Sequence, residues 1–219
     1  MRKKLKTPLR IGSVDYKRHI DRNSHKFTMS ENELRELLKA WFVISLAFAI
    51  VLGGLGNIVG SFLVASLSVG LGFIFHELGH KIAAQRYGCH AEFQANNQML
   101  VFALVTSLFG IVFAAPGAVM IYGHIDKRQN GIISLAGPAV NFVIAVLFLL
   151  LLPHVSGVLT VVATYGYLIN SWLGLFNLIP ILNLDGKKVL MWNKAVYIVM
   201  LMIGFLVMNL RDIFQLVTT

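Results

Sequence analysis

Charge is scarce in this chain. Only 13% of its 219 residues are Asp, Glu, Lys or Arg, whereas 57% are hydrophobic. That balance excludes an ordinary soluble domain of this length and fits a multi-pass membrane protein. The single cysteine, Cys89, excludes an internal disulfide and leaves the redox compartment open. The N-terminus is basic and polar with no early apolar core, so no cleavable signal peptide is expected. Internal repeats and low-complexity segments are also absent, and one membrane domain is the natural reading.

The charge that is present is unevenly placed. The formal net charge is +9, and 11 of the 19 Lys and Arg fall within residues 1–39, most of the others lying at the ends of apolar runs. This placement points to membrane orientation and contact with anionic lipid headgroups, not to nucleic acid. Residues 1–29 read as basic, polar and cytosolic, partly disordered or lying on the headgroups; the division falls between a basic cytosolic N-terminal segment, 1–38, and the membrane-embedded domain, 39–219. "SENE" at 30–33 matches a capping box, with Ser30 at the N-cap and Glu33 three residues later.

Apolar runs predict spans over 40–58, 61–86, 133–153, 157–182 and 193–211. "GGLGNIVG" forms the exit turn of the first, and Pro138 sits in the first turn of the third. "CHAEFQANN" reads as a short polar connection. A further apolar stretch, 99–122, is interrupted at "AAPGA". With the N-terminus in the cytosol, the uncharged loops after the first span and at "PHVSG" lie outside. Lys81, Arg86, Lys127, Arg128, Lys187, Lys188 and Lys194 then lie inside, provided that 99–122 enters and leaves on one side. The expected fold is an all-α polytopic membrane protein, with five to six transmembrane helices and a short membrane-embedded strand or re-entrant segment broken at Pro116-Gly117.

The second span carries "IFHELGHKIAAQRYG" at 74–88. H-E-x-x-H on a helix places His76 and His80 one turn apart on one face, where two imidazoles take adjacent positions on one zinc ion. Glu77 lies about 100° around the axis, beside the site without being forced to ligate. Zinc acidifies water, and the carboxylate is placed to accept the proton released. The competing explanation is a polar cluster hydrogen-bonded between helices, which is harder to sustain in lipid. About fourteen apolar residues precede His76, roughly 21 Å of helix in a hydrocarbon layer about 30 Å thick. The site is therefore inside the membrane, nearer the cytosolic side, with Lys81 marking how near.

A catalytic zinc takes three protein ligands. His90, Glu92, His124, Asp126 and Asp185 are the candidates for the third. His90 and Glu92 follow the helix too closely, and Asp126 adjoins Lys127 and Arg128 as in a solvated turn. Asp185 ends the apolar "NLIPILNLDG", where Pro180 breaks the helix and lets the chain turn back at depth; an ordinary Asp-Gly turn at the surface is the alternative. Asn177, eight residues earlier, and Asn141 each suit either a substrate-facing amide or an interhelical hydrogen bond. His19, His25 and His154 fall in polar or exposed segments, and Gly70, Gly72 and Gly79 read as close-packing positions.

"HELGH" in a span, then "AGPAVNF", then "NLIPILNLDG" resembles the site-2 protease family of intramembrane zinc metalloproteases, peptidase family M50, over roughly residues 60–190. The resemblance implies His76, His80 and Asp185 as zinc ligands, Glu77 as the catalytic base, and Asn177 assisting at the substrate or oxyanion. It implies a Zn2+ cofactor, transmembrane protein substrates cleaved in or near their membrane segments, and a multi-pass cell-membrane location. "FAAPGAVMIYG" corresponds to the strand region that relatives place after the zinc helix. The chain is too short for the PDZ insertion or CBS pair of some relatives, so regulation by those modules is not expected. The alternative function from another class is a metal-ion transporter or channel using the same His/Asp cluster, for which no base beside the ligands is required.

Overall fold

The computed structural model describes residues 27–112 and 116–218. The basic segment up to residue 26, with His19 and His25, and residues 113–115 of the interrupted stretch lie outside the described residues. Helices α1 (Glu31–Gly53), α2 (Ile58–Ala65), α3 (Leu71–Arg86), α4 (Asn97–Ser107), α5 (Lys127–Leu151), α6 (Val158–Asn177), α7 (Asp185–Trp192) and α8 (Lys194–Thr218) form the body. Strands β1 (His90–Ala95) and β2 (Gly117–Tyr122) are the only sheet among the described residues. A π turn, Ser66–Gly70, joins α2 to α3 into one continuous rod. Among the described residues, five helical stretches are long and apolar enough to cross a membrane: Glu31–Gly53, Leu55–Arg86, Lys127–His154, Val158–Asn177 and Lys194–Asp212. The protein is an all-α polytopic membrane protein with one small sheet.

Three apolar clusters hold the described residues together, one of them joining Ala84, Cys89, Ala91 and Ile133. Leu37, Ala40, Ile44 and Ala47 of α1 pack on Val69, Phe73, Phe93, Leu100 and Ala103. Phe142, Ala145 and Leu149 of α5 pack with Tyr167 and Leu175 of α6 and Val207 of α8. Many large apolar side chains remain exposed, including Leu63, Leu147, Val158 and Phe205, as expected where lipid takes the place of water.

The 99–122 stretch returns to the side it left. Its helical part, α4, has 11 residues, about 16 Å of rise, too short to cross. The chain turns at Gly110, whose φ of +80° suits glycine, and comes back as β2. The segment read as a polar connection, "CHAEFQANN", is in large part a strand. It pairs antiparallel with β2, His90 opposite Tyr122 and Ala95 opposite Gly117. Its alternation was present in the sequence: Ala91 and Phe93 are buried while His90 is exposed.

Other sequence expectations shift for physical reasons. Pro138 is not in a first turn, because α5 starts eleven residues earlier behind a capping box of its own, Asp126 with Gln129. Helix α6 ends at Asn177, ahead of Pro180, rather than near 182. Ser30 caps α1 through the Glu33 amide at 3.0 Å, but the Glu33 carboxylate does not complete the box, because Lys81 takes it.

Lys81 is a correction of larger consequence. It is not a solvated boundary marker: Lys81 and Glu33 are each 2% exposed. Lys81 Nζ donates to both Glu33 oxygens at 2.7 and 2.6 Å and to Ala91 O at 2.7 Å. Phe93 N donates to Glu33 Oε1 at 3.0 Å. One ion pair thus ties α1, α3 and β1. Asn96 N bonds Pro116 O, so the even residues of β1 face β2 and the odd ones face the ion pair. By the same register, the main-chain groups of Gly117, Val119 and Ile121 point away from β1.

Removing one partner of a buried pair strands the other charge, a loss of about 3–5 kcal/mol. Lys81→Met is expected to lower the unfolding temperature in detergent markedly. The double substitution Glu33→Leu/Lys81→Met is expected to recover most of that loss, because neither charge is then stranded. Calorimetric or fluorescence melting of the three proteins checks both.

Candidate metal centre

His76, Glu77 and His80 are all buried on α3. Asp185 opens α7, also buried, where the chain returns after the break that follows α6. Gly186 is what lets α7 start there: a Cβ at this position would overlap the carbonyl of Leu178. The Asp-Gly pair is thus a packing requirement rather than a surface turn.

His76 Nε2 lies 3.5 Å and His80 Nε2 3.0 Å from Asp185 Oδ2, and the two Nε2 atoms are 3.0 Å apart. Lys188 Nζ is 3.7 Å from the other Asp185 oxygen. Among the described residues, these three are the group whose ligand atoms converge, all within 4.8 Å of one another. His90, His124 and Asp126 are exposed, and Glu92 lies on β1, where it accepts from Ser30 Oγ at 2.6 Å. None of the four joins the cluster.

The far side of each ring explains the convergence. His80 Nδ1 donates to Ile133 O at 2.8 Å, and His76 Nδ1 to Asn141 Oδ1 at 2.6 Å. Both acceptors belong to α5. With each Nδ1 carrying its hydrogen, each neutral ring keeps a lone pair on Nε2. Two nitrogen lone pairs and a carboxylate oxygen then face one another with no hydrogen between them. Such a donor set repels itself unless a cation sits among it, and two imidazoles with one carboxylate suit zinc.

Helix α5 comes this close because of "AGP". A Cβ on Gly137 would fall on His80 Nε2 and His76 Cε1. Pro138 has no N–H to offer the preceding turn, next to the Ile133 carbonyl that serves His80. Gly79, read as a packing position, is one: a Cβ there would lie 3.1 Å from both Ala136 O and Val140 Cγ2. Asn141, left open between packing and function, is fully buried against His76. Asn177 is not in the cluster; its Nδ2 donates to Leu173 O in its own helix at 3.0 Å.

Fold and site together define a class: a polytopic membrane protein in which two histidines of a membrane-spanning helix and an aspartate from α7 converge as a set that could hold a metal ion. Comparison with known proteins makes this specific. Residues 64–164 match Peptidase family M50. MJ0611 of Methanocaldococcus jannaschii, assigned by name as a zinc metalloprotease, is 37% identical over 175 residues, covering 78% of this chain and 90% of its own. Rip2 of Mycolicibacterium smegmatis, assigned likewise, is 35% identical over 147 residues, 58% of this chain and 56% of its own. The zinc metalloprotease MJ0392 of M. jannaschii is 27% identical over 190 residues, 74% of this chain and 50% of its own. No solved structure matches. The chain belongs to peptidase family M50, the site-2 protease family, and is a zinc metalloprotease.

Purified protein is expected to hold about one zinc ion per chain. His80→Ala and Asp185→Ala should each lower the zinc affinity by orders of magnitude, read by elemental analysis and chelator competition. Unchanged affinity in Asp185→Ala would remove that residue from the centre.

Proposed function

We propose that this metalloprotease works inside the membrane, hydrolysing a peptide bond in or near the transmembrane segment of a membrane-protein substrate. The observation that carries the reading is the position of two of the three converging residues, His76 and His80, on a 32-residue apolar helical stretch, Leu55–Arg86, with Asp185 brought to them by α7. His76, His80 and Asp185 would hold the zinc ion, which when bound would supply Lewis acidity and acidify water. Glu77, buried beside His76 and within electrostatic reach of Asp185 and Lys188, takes the proton from the attacking water and delivers it to the leaving amine. Asn177, where α6 breaks, holds the substrate main chain or its developing oxyanion. A transporter or channel has no use for a buried carboxylate beside the ligands, and membership of a protease family favours hydrolysis.

A substrate helix hides its carbonyls in hydrogen bonds, so cleavage needs an unwound segment. The outward main-chain groups of Gly117, Val119 and Ile121 offer that segment a partner by strand addition. The other edge of the sheet is closed to it, because Lys81 and Glu33 occupy Ala91 O and Phe93 N. The segregation of Lys and Arg supports an orientation with the N-terminus and the mouth of the site on the cytosolic side of the cell membrane.

Glu77→Gln is the deciding variant. It should bind zinc as the wild type does, yet lose cleavage of a model transmembrane substrate in detergent by about 10²–10⁴-fold. Full activity in that variant would sink this reading.

A further inference from the structure

Some buried polar groups of the helical body have no part in hydrolysis. Asn170 is one: it lies on α6, is fully buried, and touches neither a ligand nor Glu77 by any hydrogen bond in the structure. Its Oδ1 accepts from Asn141 Nδ2 at 3.1 Å, and its Nδ2 donates to Gly166 O at 2.8 Å and Ser68 O at 3.2 Å. Asn141 Oδ1 in turn meets His76 Nδ1.

The direction of this chain is not free. Main-chain carbonyls only accept, so Ser68 O and Gly166 O oblige Asn170 to turn its amino group towards them. Its oxygen must then face Asn141, which must answer with its own amino group. The Asn141 oxygen is left for His76, and Nδ1 must carry the hydrogen. A relay of two amides thus transmits a polarity set by two carbonyls to the ring nitrogen that faces the metal cluster.

The anchor is unusual too. Ser68 lies in the π turn of the zinc-bearing rod, and π turns in helices recur at functional sites. Helix α1 holds the same turn from its other side, Trp41 Nε1 donating to Ser66 O at 3.3 Å. Room for the Asn170 amide comes from Gly72, one turn before His76: a Cβ there would overlap the carboxamide. The sequence reading took Gly72 as helix packing and passed over Asn170.

We propose that Asn170, acting through Asn141, is a positioning residue that holds His76 in the Nδ1–H tautomer and so readies its Nε2 for zinc. The inference rests on His76 being a zinc ligand, as proposed above. Zinc affinity by chelator competition, with melting of the zinc-free protein, tests it. Asn170→Leu and Gly72→Ala are each expected to weaken zinc binding by about 10–100-fold per folded molecule. Gly72→Ala dislodges the amide without removing a hydrogen-bonding group, and it decides the matter if Asn170→Leu does not fold. Asn141→Asp keeps an acceptor for His76 and should hold zinc far better than Asn141→Leu.

A role in folding alone would lower the melting temperature of Gly72→Ala and leave its zinc affinity unchanged, and that result overturns the proposal. Equal zinc loss in Asn141→Asp and Asn141→Leu overturns it as well. The parent reading fails separately, if His76→Ala binds zinc as tightly as the wild type.

Discussion

Oxygen atoms of α5 accept the Nδ1 hydrogens of both His76 and His80, and the rest of the centre depends on that commitment. Once both hydrogens are taken, both Nε2 lone pairs point the same way, and Asp185 adds a third acceptor. The repulsion among them is what a divalent cation relieves. The close approach of α5 requires Gly137 beneath the rings, and the return of Asp185 requires Gly186 against Leu178. "HELGH", "AGP" and "LDG" are therefore parts of one packing problem: three helices must come near enough for His76, His80 and Asp185 to converge.

The surrounding lipid sharpens every part of this arrangement. A buried donor or acceptor has no water to fall back on, so its partners must be protein. His76 is satisfied through two asparagines back to the main chain of its own rod. Lys81 is satisfied by Glu33 and the backbone of β1. The same ion pair that fastens α1 to the zinc helix closes one edge of the sheet and directs strand pairing to the other. On the proposed binding of substrate by strand addition, that one salt bridge serves both stability and access.

Much of this was legible in the residues. Low charge, apolar runs and the segregation of Lys and Arg led to a polytopic helical protein and to a 99–122 stretch that does not cross. H-E-x-x-H led to His76, Glu77 and His80, because a period of four on a helix is a statement about geometry. Asp185 could be ranked above four rivals from its place at the end of an apolar run. Strand β1 was overlooked although its alternation was visible, since six residues beside a helix end resemble a loop when their partner lies 22 to 32 positions away. Glu33 was assigned to its own cap, which is the nearest partner in sequence and not the one it takes.

The sequence by itself determined what is local or periodic: the spans and the shared face of the two histidines. These follow from helix geometry and from the free energy of moving residues into lipid. Tertiary structure alone decided which nitrogen each ring presents, where Lys81 finds its counter-charge, and that Asn141 and Asn170 form a relay instead of two separate packing contacts. Each of those depends on groups 29 to 102 residues apart, and a hydrogen bond across that separation leaves no pattern along the chain.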